Sequence, residues 1–364
     1  MIVERKYNFC AGPAVFPESV LKEAQTAVLE YKNTGMSILS ISHRSDDFLS
    51  LAKEAKQDLR DLLNIPMDYE ILFLHGGASW QAAMIPANFL KKNSFASYVN
   101  TGHWSKKALL EAKFFGEVKE VSAGYSAAMS PDLWEIDPRA SYCHFTPNET
   151  IDGVEFYNFP TREKSNSVFL MADMSSTLLS RPFDIRGLDL IYAGAQKNMG
   201  PSGLSVVILN KKLLAHANQN LPTMLAYQVH VEAESIYNTP ATFSWYLLGR
   251  FLAWIKQEGG LKEMEKRSLE KSNYLYNFID QSDFYENKIP KLIRSRMNIP
   301  FILKKPELDG VFLKEAEMQG LLNLQGHRST GGMRASLYNA MPQEGVVALV
   351  DFMKNFEKKY ADAR

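Results

Sequence analysis

Apolar and polar positions alternate with two different textures along the chain, and the change falls near residue 70. Before it, apolar residues recur every three or four positions. Val20, Leu21, Ala24, Val28 and Tyr31 form one stripe, predicting a helix over 17–33 with Pro17 in its first turn and Gly35 beyond its end. Phe48, Leu51, Ala52, Ala55, Leu59, Leu62 and Leu63 predict a second helix over 46–64, with Ser45 placed to cap it. From residue 70 short apolar runs appear at 70–75, 95–100, 141–145, 168–172, 188–193 and 204–209, and helical segments over 80–90 and 104–115 follow the first two. Strands apolar on both faces and spaced by helices predict an α/β fold with a mostly parallel sheet covered on both sides. The last two runs are joined by a loop alone and predict a hairpin or a short crossover. A helix over 241–256 ends at Gly259-Gly260, after which a smaller helix-and-strand pattern runs to a terminal amphipathic helix over 344–360. The reading is a large domain, 1–260, and a small one, 261–364, with the N-terminal segment free to pack on the small one.

Composition narrows the function classes. At roughly 150 residues per domain, 364 residues make about two domains. Lys and Arg total 41 and so do Asp and Glu, a net charge of zero that argues against nucleic acid or an anionic membrane as partner. An anionic ligand must then be held by local charge. Two cysteines, Cys10 and Cys143, cannot build a disulfide scaffold or a four-thiolate zinc site. No run of about 18 uncharged apolar residues occurs, and 1–7 do not read as a signal peptide, so the expected location is the cytoplasm. His75, His103, His144, His216 and His230 show no metal-ligand spacing and read as structural, with no metal expected.

In open parallel sheets ligands gather at the carboxyl ends of the strands. The residues there are Gly76-Gly77-Ala78-Ser79, Gly102-His103-Trp104, Thr146 to Thr150, Asp173 and Gln196-Lys197. Gly-Gly-Ala-Ser at a helix start offers backbone N–H groups and a hydroxyl to a phosphate, or is simply a tight turn capped by Ser79. Lys197 has apolar and Gly-rich flanks, Ala193-Gly194-Ala195-Gln196 before it and Asn198-Met199-Gly200 after it. Partial desolvation there would push its ammonium toward the neutral amine that an imine-forming lysine requires. Asp173 either caps the Ser175-Ser176-Thr177 turn or holds a protonated ring nitrogen. Together the acid and the lysine suggest a pyridoxal-phosphate site.

Seven strings carry a resemblance. Ser42-His43-Arg44, Phe73 to Gly77, Pro147 to Gly153, Ala172 to Thr177, Tyr192 to Asn198, Tyr237 to Pro240 and Gly326 to Ala335 are similar, in order, to those of the phosphoserine aminotransferases of class V. The resemblance spans nearly the whole chain. It implies the aspartate-aminotransferase type of fold (fold type I) and a pyridoxal 5'-phosphate cofactor. It also implies a homodimer with shared active sites, and transfer of an amino group between glutamate and 3-phosphohydroxypyruvate, with 4-phosphohydroxythreonine as a further substrate in part of the family. Position by position, Lys197 becomes the Schiff-base lysine and Asp173 the partner of the pyridinium nitrogen. Trp104 stacks on the ring, Thr150 bonds its phenolic oxygen, and Ala78, Ser79 and Gln196 hold its phosphate. Asn238 and Thr239 reach that phosphate from the other subunit, at what reads as a helix start with Thr239 as cap and Pro240 as first residue. Arg334 clamps the substrate carboxylate. His43, Arg44, His327 and Arg328 hold the distal anion, the last two expected from the partner chain. Where Ser79 stands, some members carry a basic residue, which leaves one cation fewer here. A desulfurase or lyase would need a mobile cysteine, which Cys10 and Cys143 do not match. A non-catalytic regulator would need a DNA-binding module, for which the length leaves no room.

Overall fold

The computed structural model describes residues 5–131, 134–160 and 168–361. The first four residues of the stretch read as lacking a signal peptide lie outside the described residues. Fourteen strands are described: β1 (Tyr7–Asn8), β2 (Tyr69–His75), β3 (Phe95–Asn100), β4 (Glu117–Ala123), β5 (Cys143–Phe145), β6 (Asn148–Glu149), β7 (Val154–Glu155), β8 (Leu170–Asp173), β9 (Leu190–Gly194), β10 (Leu204–Asn210), β11 (Tyr285–Glu286), β12 (Asn298–Leu303), β13 (Leu321–Leu322) and β14 (Met333–Ser336). The helices are α1 (Glu18–Leu29), α2 (Asp46–Leu63), α3 (Gly77–Phe89), α4 (His103–Ala112), α5 (Gly124–Met129), α6 (Lys211–Leu214), α7 (Tyr227–Glu232), α8 (Thr242–Gln257), α9 (Gly260–Gln281), α10 (Asp309–Met318) and α11 (Gln343–Tyr360).

Seven strands form the main sheet in the order β2-β10-β9-β8-β5-β3-β4. All run parallel except β10, which is antiparallel to both β9 and β2. Of the two connections predicted after β9, the chain uses the antiparallel return. The apolar runs are explained by burial on two faces. Ile71, Phe73, Val206 and Ile208 point into one hydrophobic cluster with α2 and α8, while Leu72, Leu74, Val207 and Leu209 point into another under α3 and α4. Successive side chains alternate faces, so a strand buried on both sides has no polar positions to show.

α2 matches its prediction closely: Ser45 Oγ accepts the Phe48 N–H at 3.4 Å, and Asn64 ends the helix in the left-handed region. α8 differs. It begins at Thr242 with Ala241 at the cap position and no side-chain cap bond, so Thr239 is not its cap and Pro240 is not its first residue. Ala241, at ψ 76°, keeps the backbone out of the helix for one more residue. β4 escaped prediction because it is an edge strand on which Glu117, Lys119 and Glu120 are exposed, leaving no apolar run to read.

A third cluster gathers α9, α10, α11, the β11-β12-β14 sheet and Phe9, whose neighbour β1 pairs with β13. Among the described residues no helix is long and apolar enough to cross a membrane. None of them group into three or more His, Cys, Asp or Glu able to hold a metal ion.

Candidate active site

One cavity of about 380 Å³ opens at the carboxyl edge of the main sheet. β2 delivers Gly76 to Ser79, α4 delivers Trp104, and the segment after β5 delivers Thr146, Asn148 and Thr150. β8 ends in Asp173 and β9 runs on to Gln196 and Lys197. Because β10 is antiparallel, the loop that returns to it must cross this same edge, and that loop carries Lys197. From the third cluster β14 adds Arg334.

Burial pushes the Lys197 ammonium down to about 8; the Asp173 and Glu149 carboxylates oppose the shift and Arg334 reinforces it. Asp173 Oδ1 accepts the Ser175 N–H at 3.0 Å and the Ser175 hydroxyl at 2.5 Å, and Ser175 Oγ accepts the Gly194 N–H at 3.0 Å. Asp173 therefore does cap the turn that follows it, and lines the cavity as well. Tyr192, which lines the cavity opposite Asp173 in the β8–β9 register, bonds His144 Nε2 through its hydroxyl at 3.0 Å. Burial lowers His144 to about 3, so its imidazole is neutral.

Trp104 is fixed at several atoms. Its indole N–H donates to Thr150 Oγ1 at 2.7 Å, its backbone N–H donates to Glu149 Oε2 at 2.8 Å, and Lys197 Nζ lies 5.7 Å from its ring centroid. Thr150 Oγ1 accepts from the indole, which leaves its own O–H to donate elsewhere. The Thr150 carbonyl accepts from the Arg334 guanidinium at 3.2 Å, joining the two sides of the cavity through one residue.

The pyridoxal phosphate implied by the resemblance can be tested against these groups. Thr146 Oγ1 and Gln196 Oε1 are buried without partners, and both residues line the cavity. Gly77, Ala78 and Ser79 form the first turn of α3, whose N–H groups have no partner within the helix. A lysine held near neutrality, an acid at a strand end and an anion-ready helix start fit such a group.

The cavity brings together Ala78, Ser79, Trp104, Thr150, Asp173, Gln196, Lys197 and Arg334. His327 also lines it, within the same chain as Lys197, where the sequence reading expected it from the partner. The reason is local: the loop after β13 folds back, with the Gly326 N–H on the Gly332 carbonyl, and this sets the His327 ring 5.3 Å from that of His103. Arg328, next to it, is exposed and does not line the cavity. His43 and Arg44, in the turn before α2, and the exposed Asn238 and Thr239 stand outside it too. Lys107 was missed. It lines the cavity with its ammonium 5.5 Å from the Trp104 centroid, and its i+3 spacing from Trp104 on a helix was the available signal.

The class-V aminotransferase profile matches residues 6–349. A phosphoserine aminotransferase of Pseudomonas entomophila is 50% identical over 362 residues, 98% of this chain and 99% of the relative. Among solved structures, the phosphoserine aminotransferase of Bacillus circulans subsp. alkalophilus superposes with a TM-score of 0.94 at 45% identity, covering 98% of this chain and 99% of that one. The pyridoxal-phosphate-bound phosphoserine aminotransferase of Trichomonas vaginalis gives 0.90 at 39% identity, over 96% and 100%. With Lys197, Asp173 and Arg334 converging on one cavity, the chain belongs to the pyridoxal-phosphate-dependent class-V aminotransferases and, within them, to the phosphoserine aminotransferase family.

Proposed function

We propose that the chain transfers an amino group reversibly between L-glutamate and 3-phosphohydroxypyruvate, giving O-phospho-L-serine and 2-oxoglutarate, as a step in making serine. The observation that carries this reading is one cavity lined both by Lys197, whose ammonium burial lowers to about 8, and by the guanidinium of Arg334, which donates to the Thr150 carbonyl. The bound cofactor supplies an electron sink for the pair left behind when the substrate's α-carbon loses its proton. Asp173, oriented by Ser175, holds the ring nitrogen protonated. Lys197 Nζ takes up the α-proton and returns it. Trp104 covers the ring and excludes water, the Thr150 hydroxyl donates to the phenolic oxygen, and the Ala78 and Ser79 amides with the Gln196 side chain hold the phosphate. Arg334 takes the substrate carboxylate in a two-pronged clamp. Lys107 brings positive charge to the cavity for the distal anion, and His327, held below the ordinary imidazole range by burial with His103 and Arg334 beside it, offers a ring nitrogen instead of a charge.

The active unit in this reading is a homodimer. Asn238, Thr239, His43 and Arg44 carry the right chemistry for two anions yet stand outside their own chain's cavity, and a partner's cavity is where they serve. Arg328, exposed beside His327, completes the distal site. The third hydrophobic cluster supports a small domain, 261–364, packed on 1–260 with Phe9 from the N-terminal segment. Neither thiol suits a desulfurase: Cys143 is buried and pushed up to about 12, and Cys10 is not among the cavity residues. Both are free, in keeping with a reducing cytoplasm.

An absorbance titration of the holoenzyme tests the function. Glutamate should convert the cofactor to its aminated form, and 3-phosphohydroxypyruvate should reverse the change; a spectrum that does not respond to the second substrate would refute the assignment.

A further inference from the structure

Glu149 has no part in the roles assigned so far, yet its side chain is completely buried. Its two oxygens divide between successive amides at the start of α4: Oε2 accepts from the Trp104 N–H and Oε1 from the Ser105 N–H, both at 2.8 Å. Asp152 Oδ2 accepts the preceding amide, that of His103, at 3.1 Å, and Thr150 Oγ1 takes the Trp104 indole N–H. One short segment, 149–152, thus holds three consecutive amides and the ring of the helix's second residue. Gly102 explains how the carboxylates come so close. Its φ of 173° is ordinary extended backbone, so no turn requires a glycine there. A Cβ at this position would collide with Asp152 Oδ2 and lie 2.7 Å from Glu149 Cγ.

We propose that Glu149 is a positioning residue for the cofactor face: its carboxylate fastens the first turn of α4 and thereby fixes the plane of Trp104 across the cavity from Lys197. Free amides at a helix start attract an anion, and a carboxylate sharing two of them is held in one orientation. Burial raises the Glu149 carboxyl to about 7 even with these bonds, so the group is costly to keep and is retained against that cost. The inference rests on Trp104 lying against the cofactor ring.

The test is a double-mutant cycle on cofactor affinity, read by equilibrium dialysis of pyridoxal phosphate against the apo-protein. Trp104→Leu and Glu149→Gln should each weaken binding by about tenfold, roughly 1.4 kcal/mol. If Glu149 acts through Trp104, the double variant binds about as weakly as the weaker single one; losses that multiply to about a hundredfold would overturn the inference. The circular dichroism of the bound cofactor should change in Glu149→Gln, because a tilted ring alters its asymmetric surroundings; an unchanged band counts against the inference. Gly102→Ala keeps both carboxylates and Trp104 but drives them apart, so it should reproduce the weakened affinity and the altered band. Wild-type behaviour of that variant would also overturn the inference, and it replaces Glu149→Gln in the cycle should the latter not fold. An unchanged affinity in Trp104→Leu alone would instead refute the placement of Trp104 at the cofactor.

Discussion

Lys197 and Arg334 face the same cavity under opposite requirements, one needing to lose its proton easily and the other to keep it. For Lys197 the ordering of causes matters: burial lowers the ammonium more than Asp173 and Glu149 raise it, and the balance falls at about 8. The neutral amine is the form that attacks an aldehyde. Capture of pyridoxal phosphate by the apo-protein should therefore quicken as pH rises, with a midpoint near 8, about two units below an ordinary lysine; a midpoint near 10 in stopped-flow absorbance would contradict the burial. Lys197→Ala should bind the cofactor but leave nothing for borohydride to fix to the protein. Arg334→Ala should raise KM for every amino-acid substrate by roughly ten- to a hundredfold, the scale of a charged hydrogen-bond pair. Lys107 is exposed, so Lys107→Gln should act mildly, raising KM for phosphorylated substrates a few-fold at low salt while leaving glutamate unchanged. Steady-state kinetics with both substrates decide between these outcomes. Flanking residues made Lys197 and Asp173 legible in the sequence. Lys107 carried only the i+3 spacing from Trp104, and it is the turn of α4 toward the cavity that gives it a role.

Elements made of one repeated pattern were the readable part of the fold. α2 announces its start with Ser45 as cap and its length with one apolar stripe, and the two-sided strands announce a covered sheet. What escaped is too short to show a period or depends on contacts distant in sequence. The two-residue strands β6 and β7 pair only with each other, Asn148 with Glu155 and Glu149 with Val154, and the glycine that turns between them packs against Pro300 from far along the chain. Gly153 has φ +72°, and a Cβ would collide with the Pro300 ring. Gly153→Ala should therefore cost about 2–4 kcal/mol, combining left-handed backbone with overpacking, measured as a lowered urea midpoint. α9 supplies a second case. Lys271 is buried and donates from Nζ to the Tyr338 and Met341 carbonyls at 2.8 and 2.9 Å. Burial, with Arg267 adding to it, pushes this amine down to about 7. The folded value lies below that of an unfolded lysine, about 10.4, so between those limits the unfolded chain binds more protons and stability rises with pH. Lys271→Met should flatten that rise in a series of denaturation curves from pH 7 to 10; an unaltered slope would mean that the ammonium stays charged in the fold.

Across the whole molecule, 41 cationic and 41 anionic side chains cancel, yet the cavity is lined by Lys107, Lys197 and Arg334 against Asp173. The neutrality is global and the site is locally positive, which suits small multiply charged anions and not a long polyanion. The same accounting bears on the proposed dimer. A substrate bearing a carboxylate and a phosphate, beside a cofactor bearing its own phosphate, presents three anionic groups. Four residues suited to them, His43, Arg44, Asn238 and Thr239, stand outside their own cavity. If each cavity borrows them, a chain defective at Lys197 can still lend Thr239, and a chain defective at Thr239 can still offer Lys197. Mixed dimers of Lys197→Ala and Thr239→Ala chains then contain one intact composite site and one doubly damaged site. Activity should return to about half the wild-type value per mixed dimer, while each parent homodimer, damaged at both sites, stays low. Differential tags can isolate the mixed dimers before assay. A mixed dimer no more active than the mean of its parents would place Thr239 outside the partner's site, and the four residues would then need another explanation.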